Sequence, residues 1–140
     1  MNRVQRNRNP LNIKLSNVRW FGQDMQGKDK TFCTFKTMEH GWRAAFVLIC
    51  QTYYHKYGKK TIRDIITRLA PSTENNTEAY IKTVSTATGI KADEQLGPPL
   101  LNPLKWFAII MAMSRVEAGI DLNVGEAYRG WKLWQKTSSI

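Results

Sequence analysis

The sequence predicts an α+β protein that is predominantly helical, with four or five helices and one small β-hairpin. Most of the chain carries apolar residues at helical spacing, bounded by residues that begin and end helices. One early region instead carries two short runs of β-branched and aromatic residues. Because 140 residues with 42% hydrophobic content suffice for one core, we predict a single globular domain over residues 9–136.

The N-terminal residues 1–8 are polar and basic, with Arg3, Arg6 and Arg8 among Asn and Gln. We predict a flexible basic arm here and no signal peptide, because no apolar segment follows. From Asn9 to Lys14 the chain should form a defined loop, since Pro10 fixes the backbone and Asn side chains bond to nearby backbone groups.

The predicted hairpin pairs residues 18–21 with residues 31–35, across a stretch that contains Gly and Asp. A two-stranded hairpin is not stable alone, so Trp20, Phe32 and Phe35 should lean on the helices.

Two helices are predicted in the middle of the chain. The first spans residues 38–57, with Thr37 as its N-cap and Gly58 after its end. The second begins at Thr61, which has a capping-box form with Asp64, and stops before Pro71.

Three further helices are predicted towards the C-terminus. The first starts at Asn75, with Glu78 three residues on, and closes at Gly89; the second runs from Pro103 to Gly119, and the third covers about residues 124–135.

The helix that begins at Pro103 is the most clearly marked. Asn102 suits the N-cap, Pro103 the first turn and Gly119 the left-handed residue after the end. Its residues are apolar round most of the cylinder, which predicts packing on several sides. Glu117 lies on its last turn, where the helix dipole and an apolar neighbourhood both favour a protonated carboxyl. Such a group can be the general acid of a glycosidase, although a solvated glutamate at a helix end fits the same spacing.

The formal charge of +10 predicts an anionic partner such as bacterial wall polymer, nucleic acid or a membrane surface. The longest apolar run, residues 106–113, is too short to cross a bilayer, so we expect no membrane insertion. Cys33 and Cys50 are predicted to be free thiols, with Cys50 in a helix core.

We expect no metal and no cofactor, because the chain has no zinc spacing, calcium loop or glycine-rich phosphate loop. His40 and His55 lie far from any Ser or Cys pattern that would form a catalytic triad.

Six short motifs occur along the chain: Asn9-Pro10-x-Asn12-Ile13, Trp20-x-Gly22-Gln23, Phe32-x-x-Phe35, Gly41-x-Arg43-Ala44, Ala70-Pro71-x-x-Glu74-Asn75-Asn76-Thr77-x-x-Tyr80-Ile81 and Thr88-Gly89. Together they resemble a family of small phage and prophage proteins whose members are usually labelled virion structural proteins. The resemblance covers roughly residues 9–120. In that family Glu-Asn-Gly commonly closes the late apolar helix, where this chain has Glu117-Ala118-Gly119.

A more distant resemblance is to glucosaminidases and lytic transglycosylases of the lysozyme-like superfamily. In those enzymes a hydrophobic helix ends in Glu-Ser-Gly, and an Asn-rich segment, a Phe-containing hairpin, a helix and an Ala-Tyr pair follow. Here the later parts appear in that order, ending at Ala79-Tyr80, but the helix that ends in Glu117 comes last. The resemblance therefore implies a circularly permuted lysozyme-like domain.

This resemblance implies roles for individual residues. Glu117 would protonate the leaving sugar oxygen, and Tyr80 would lie across the cleft and position the sugar. Four asparagines would bind the glycan: Asn9, Asn12, Asn75 and Asn76. Structural roles are also open, with Tyr80 as a core aromatic, Asn12 as a turn residue and the last two asparagines as helix caps. A second carboxylate remains open among Glu39, Glu74 and Asp121.

Two functions follow from these observations. The first is a phage or prophage glycosidase of the muramidase, glucosaminidase or lytic transglycosylase type, which cleaves peptidoglycan or binds another anionic wall polymer. The alternative is a non-catalytic virion or accessory protein that binds cell wall, nucleic acid or other virion proteins through its basic surface. Nucleic acid is the less favoured partner, because the basic residues are spread over the chain and no reader motif is present. We expect the protein in the virion, or in the bacterial cytoplasm before lysis.

Overall fold

The computed structural model describes residues 1–137. Within them the chain forms six α-helices and one π-helical segment that continues the second helix directly. The elements are α1 (Arg3–Asn7), α2 (Met38–Phe46), the π-helical segment (Val47–Lys56), α3 (Ile62–Leu69), α4 (Thr77–Thr88), α5 (Pro103–Ala118) and α6 (Val124–Thr137).

Helices α2 and α6 form the closest packed pair. Gly130 of α6 lies so near α2 that an added Cβ would be 2.3 Å from the Trp42 Cβ. Three aromatic rings then join α2, α5 and α6, because the Phe46 ring centre is 5.6 Å from that of Phe107 and 5.1 Å from that of Trp131. The small residue at this crossing allows the backbones to approach, and the rings fill the space around it.

Helix α5 has the bounds that the sequence predicts. Pro103 occupies its first turn, and Gly119 follows it with a φ of 73°, which glycine adopts without strain. Trp106, Ile109 and Ile110 are fully buried. The N-terminal end departs from the prediction of packing on several sides, since Leu104 is 84% exposed.

The long helix predicted over residues 38–57 forms, but in two backbone geometries. Thr37 caps α2 by accepting from the His40 amide, and the chain turns at Gly58. Between residues 47 and 56 the hydrogen bonding is π-helical. A π-helix usually occurs as a single turn within an α-helix, so ten residues are unusual, and such segments recur at functional sites.

The predicted hairpin does not form as two paired strands. Residues 1–137 contain only two isolated antiparallel bridges in this region, Lys14 with Phe32 and Gln23 with Phe35. The run of residues 31–35 therefore pairs with the loop after Pro10 as well as with Gln23. Trp20 and Phe35 are buried, as predicted, so the aromatic side chains join the core without a regular strand pair.

The predicted flexible arm is instead a short capped helix. Asn2 accepts from the Gln5 amide while the Gln5 side chain accepts from the Asn2 amide, which is a capping box. Val4 is 1% exposed, and Asn2 donates to the Ala118 carbonyl at the end of α5. The buried side chain of Val4 and the hydrogen bonds of Asn2 therefore hold this segment against the domain, although its basic composition predicted that it would extend into solvent.

Cys33 and Cys50 are free thiols, as predicted, and Cys33 is buried as well as Cys50. Burial raises the pKa of the Cys33 thiol to about 11, so it stays protonated. In the described part of the chain, no helix combines the length and apolar character needed to span a bilayer.

Candidate functional site

A groove of about 910 Å³ lies where the loop after Pro10, the end of α5, the π-helical segment and α3 meet. Its volume is near the upper end of the range for sites that hold small organic ligands. The lining combines charged, polar and aromatic side chains, among them Glu117, Asn12, Trp20, Tyr53, Tyr57 and Arg68.

Glu117 lines this groove with its carboxylate held by two donors. The Asn12 side-chain amide donates to Oε1 at 2.9 Å, and the Tyr80 hydroxyl donates to Oε2 at 2.9 Å. The side chain is half-buried. Residues that are 105 and 37 positions away in the sequence therefore fix the orientation of one carboxyl group.

The pKa of Glu117 is raised above its usual value of 4.5. Burial is the main cause, while the hydrogen bonds from Asn12 and Tyr80 lower the pKa and offset part of the effect. The group therefore holds its proton to higher pH than a solvated glutamate does. Retention of a proton beside an open groove is the property a general acid needs.

Asn12 occupies a backbone conformation that favours its residue type. Its φ is 51°, in the left-handed region, where Asn is tolerated better than most side chains. The Asn12 Oδ1 is buried and has no hydrogen-bond partner among the described residues. The left-handed turn therefore directs the amide nitrogen at Glu117.

Tyr80 reaches Glu117 from within the core and not from across an open cleft. It is 7% exposed and belongs to α4, which packs on α5. Burial and the Glu117 charge raise the pKa of its hydroxyl well above the usual value, so the hydroxyl stays a donor. Tyr80 can therefore position Glu117, but its ring does not line the groove, where a sugar would lie.

The other predicted glycan-binding asparagines have different positions. Asn9 is fully buried, and its amide bonds to the backbone of Ile13 and Cys33, so the structure does not bring it into the groove. Asn75 lines the groove. Asn76, one residue after the predicted cap, is the N-cap of α4 and accepts from the Ala79 amide.

The candidate second carboxylates also separate by position. Glu39 pairs with Arg129 and Asp121 pairs with Arg115, and neither acid is among the groove-lining residues. Glu74 lines the groove, where Lys14 binds it at 2.8 Å. Asp64, for which the sequence indicates only a helix-capping role with Thr61, lines the groove as well.

One wall of the groove, formed by the π-helical segment and α3, could not be recognised from the sequence. The π-helical turn brings Leu48, Thr52 and Tyr53 to the groove, and Tyr57 follows. On α3 the buried face is Ile62, Ile65 and Ile66, which leaves Arg68 on the groove side. The amphipathic pattern of α3 was the available signal for Arg68, but the groove partners of that face were not visible in the sequence.

Among residues 1–137, no group of three His, Cys, Asp or Glu side chains is arranged to hold a metal ion.

Comparison with known proteins identifies a phage relative. No protein-family model matches the chain. The chain is 43% identical over 117 residues to Protein P5 of Pseudoalteromonas phage PM2. The matched region covers 81% of this chain and 69% of Protein P5. This identity supports the phage resemblance seen in the motifs, whereas it gives no support to the lysozyme-like link. The chain belongs to the family of phage proteins that includes Protein P5 of PM2.

Proposed function

We propose that this phage protein is a glycosidase that cleaves bacterial peptidoglycan, with Glu117 as its general acid. The observation that carries the proposal is a carboxyl group with a raised pKa, held between two donors at the surface of a large groove. The muramidase, glucosaminidase and lytic transglycosylase types all use such an acid.

The proposed step is proton transfer from Glu117 to the glycosidic oxygen as the bond to the anomeric carbon breaks, and water, or a hydroxyl of the same sugar in the lytic transglycosylase type, then forms the new bond to that carbon and releases a proton. The group that remains is a carboxylate. Asn12 and Tyr80 then donate to that carboxylate, and hydrogen bonds to an ionised group are stronger than those to a neutral one. Tyr80 acts through Glu117 and is a positioning residue in this scheme.

A circularly permuted lysozyme-like scaffold is part of the same proposal. It is supported by the contacts that Glu117 makes, because its two donors come from the Asn9-Pro10-x-Asn12 and Ala79-Tyr80 motifs. Peptidoglycan is the proposed substrate because the chain carries a charge of +10 and the wall polymer is anionic. Asn75 is the predicted asparagine best placed to contact the glycan directly.

A non-catalytic virion structural or accessory protein is the second candidate, and one observation favours it. The two oxygens of Glu117 tie α5 to the loop at Asn12 and to α4, which is also what a structural contact does. In that case other virion proteins or wall polymer would be the partners, with nucleic acid less favoured.

Clearing of a purified peptidoglycan suspension separates the two candidates. The wild-type chain and Glu126→Gln should both clear it, because Glu126 belongs to the first turn of α6 and does not line the groove. Glu117→Gln should clear it at least about 100-fold more slowly, as expected for loss of a general acid. No clearing by a folded wild-type chain would favour the structural candidate.

A further inference from the structure

The wall of the groove formed by α3 and the π-helical segment carries a cation that is held in place by aromatic rings. The Arg68 guanidinium lies 3.9 Å from the ring centre of Tyr57 and 5.5 Å from that of Tyr53. Tyr57 is 40% exposed, so the stacked pair is accessible from the groove.

Arg68 forms no ion pair with any carboxylate among residues 1–137. Its groove neighbours Lys14 and Arg63 differ, since Lys14 pairs with Glu74 and Arg63 with Glu78 and Asp93. Asp64 precedes Arg68 by four residues on α3, a spacing at which helical ion pairs form, yet the guanidinium lies over Tyr57 instead. The charge of Arg68 is therefore available to a ligand.

A stacked guanidinium is suited to binding a carboxylate. Its planar array of donors matches the two carboxylate oxygens, and stacking on a ring restricts the side chain before the ligand arrives.

We propose that Arg68, stacked on Tyr57, binds a carboxylate of the glycan and makes the groove selective for carboxylate-bearing sugar polymers over neutral ones. The proposal rests on the proposed function, because it takes the occupant of the groove to be the glycan whose glycosidic oxygen Glu117 protonates. It adds a substrate class, namely strands with a free carboxylate on the sugar or on its substituent.

Binding of two defined tetrasaccharides tests this inference. One alternates N-acetylglucosamine with N-acetylmuramic acid, whose lactyl groups carry carboxylates, and the other is neutral chitotetraose. The titrations measure the affinity of the Glu117→Gln chain for each tetrasaccharide, because this variant should not cleave the glycan during the measurement. We expect this chain to prefer the anionic glycan about tenfold, as a charge-assisted hydrogen bond allows. Added salt should reduce that preference.

Three substitutions, each added to the Glu117→Gln chain, complete the test. Arg68→Gln should bring the ratio of the two affinities close to one, and Arg68→Lys should give an intermediate ratio, because it keeps the charge without the planar stacking. Arg129→Gln, which removes a guanidinium on α6 that pairs with Glu39, should leave the ratio unchanged. Arg68 is exposed, so circular dichroism should show an unchanged fold.

Equal affinity for both glycans in the Glu117→Gln background, or an unchanged ratio in Arg68→Gln, would overturn the inference. Cleavage of peptidoglycan by the wild-type chain is measured separately. Cleavage without selectivity at Arg68 would refute this inference alone, whereas selectivity without cleavage would refute the proposed enzyme and leave the anion site standing.

Discussion

Glu117 ends α5 between two hydrogen-bond donors that come from distant parts of the chain. Its place on the last helical turn follows from the sequence, because Pro103 and Gly119 mark both ends of that helix. The donors do not follow from local pattern. Asn12 and Tyr80 were candidates through resemblance, and only the packing of the loop and α4 against α5 brings them to the same carboxyl group.

The hydroxyl of Tyr80 should lower the pKa of Glu117 through its hydrogen bond. Tyr80→Phe removes that donor, so the Glu117 pKa should rise further, and the free energy of unfolding should fall by about 1 kcal/mol. Carboxyl chemical shifts followed by NMR against pH measure the first effect. Tyr128→Phe is the control, because Tyr128 is 54% exposed, and an unchanged or lower Glu117 pKa in Tyr80→Phe would contradict the account.

The raised pKa of Glu117 also predicts how stability depends on pH. A carboxyl with a higher pKa in the folded state contributes stability that is fully present below its unfolded pKa, near 4.5, and is lost as pH rises through the folded value. Relative to Glu117→Gln, which stays neutral, the wild-type chain should therefore become less stable from pH 4 to pH 7. Urea unfolding at several pH values measures the difference, and a relative gain in wild-type stability would show the sign to be wrong.

At the scale of the elements, helix ends were predictable and backbone geometry was not. Thr37 and Thr61 cap helices as their side chains predict, since each hydroxyl satisfies a free amide. No residue pattern indicated the π-helical segment. The apolar spacing in the sequence predicts a helix with one buried face, and it does not distinguish α-helical from π-helical hydrogen bonding. The predicted hairpin is absent as a pair of strands for a related reason. Aromatic and β-branched residues favour strands, but the same residues can reach the core when they belong to a loop.

The crossing of α2 and α6 should depend on Gly130. A Cβ there would lie 2.3 Å from the Trp42 Cβ and 3.0 Å from the Glu39 carbonyl oxygen, so the helices would have to separate. Gly130→Ala should lower the free energy of unfolding by about 1–3 kcal/mol, as overpacking does. Gly125→Ala on the same helix is the control, because its neighbours are ends of polar side chains, and equal urea midpoints for the two variants would contradict the predicted packing.

In the whole molecule, one hydrophobic core joins residues from Leu11 to Trp134. The groove lies beside this core, where the loop after Pro10, the end of α5, the π-helical segment and α3 meet. Composition predicted such a core and the basic charge. It could not predict that residues 1–8 are ordered, because that depends on one buried valine and on the bond from Asn2 to the end of α5. The groove likewise combines segments more than 100 residues apart, and local periodicity carries no information on such contacts.

We propose that Glu117 donates a proton to a glycosidic oxygen in this groove. Mass spectrometry of the alternating N-acetylglucosamine and N-acetylmuramic acid tetrasaccharide, sampled over time with the wild-type and Glu117→Gln chains, tests this role. The wild-type chain should release shorter saccharides whose ends identify the bond, and Glu117→Gln should do so at least about 100-fold more slowly. Equal product from both chains, or an intact tetrasaccharide after incubation with the folded wild-type chain, would show that Glu117 is not the acid of such a reaction.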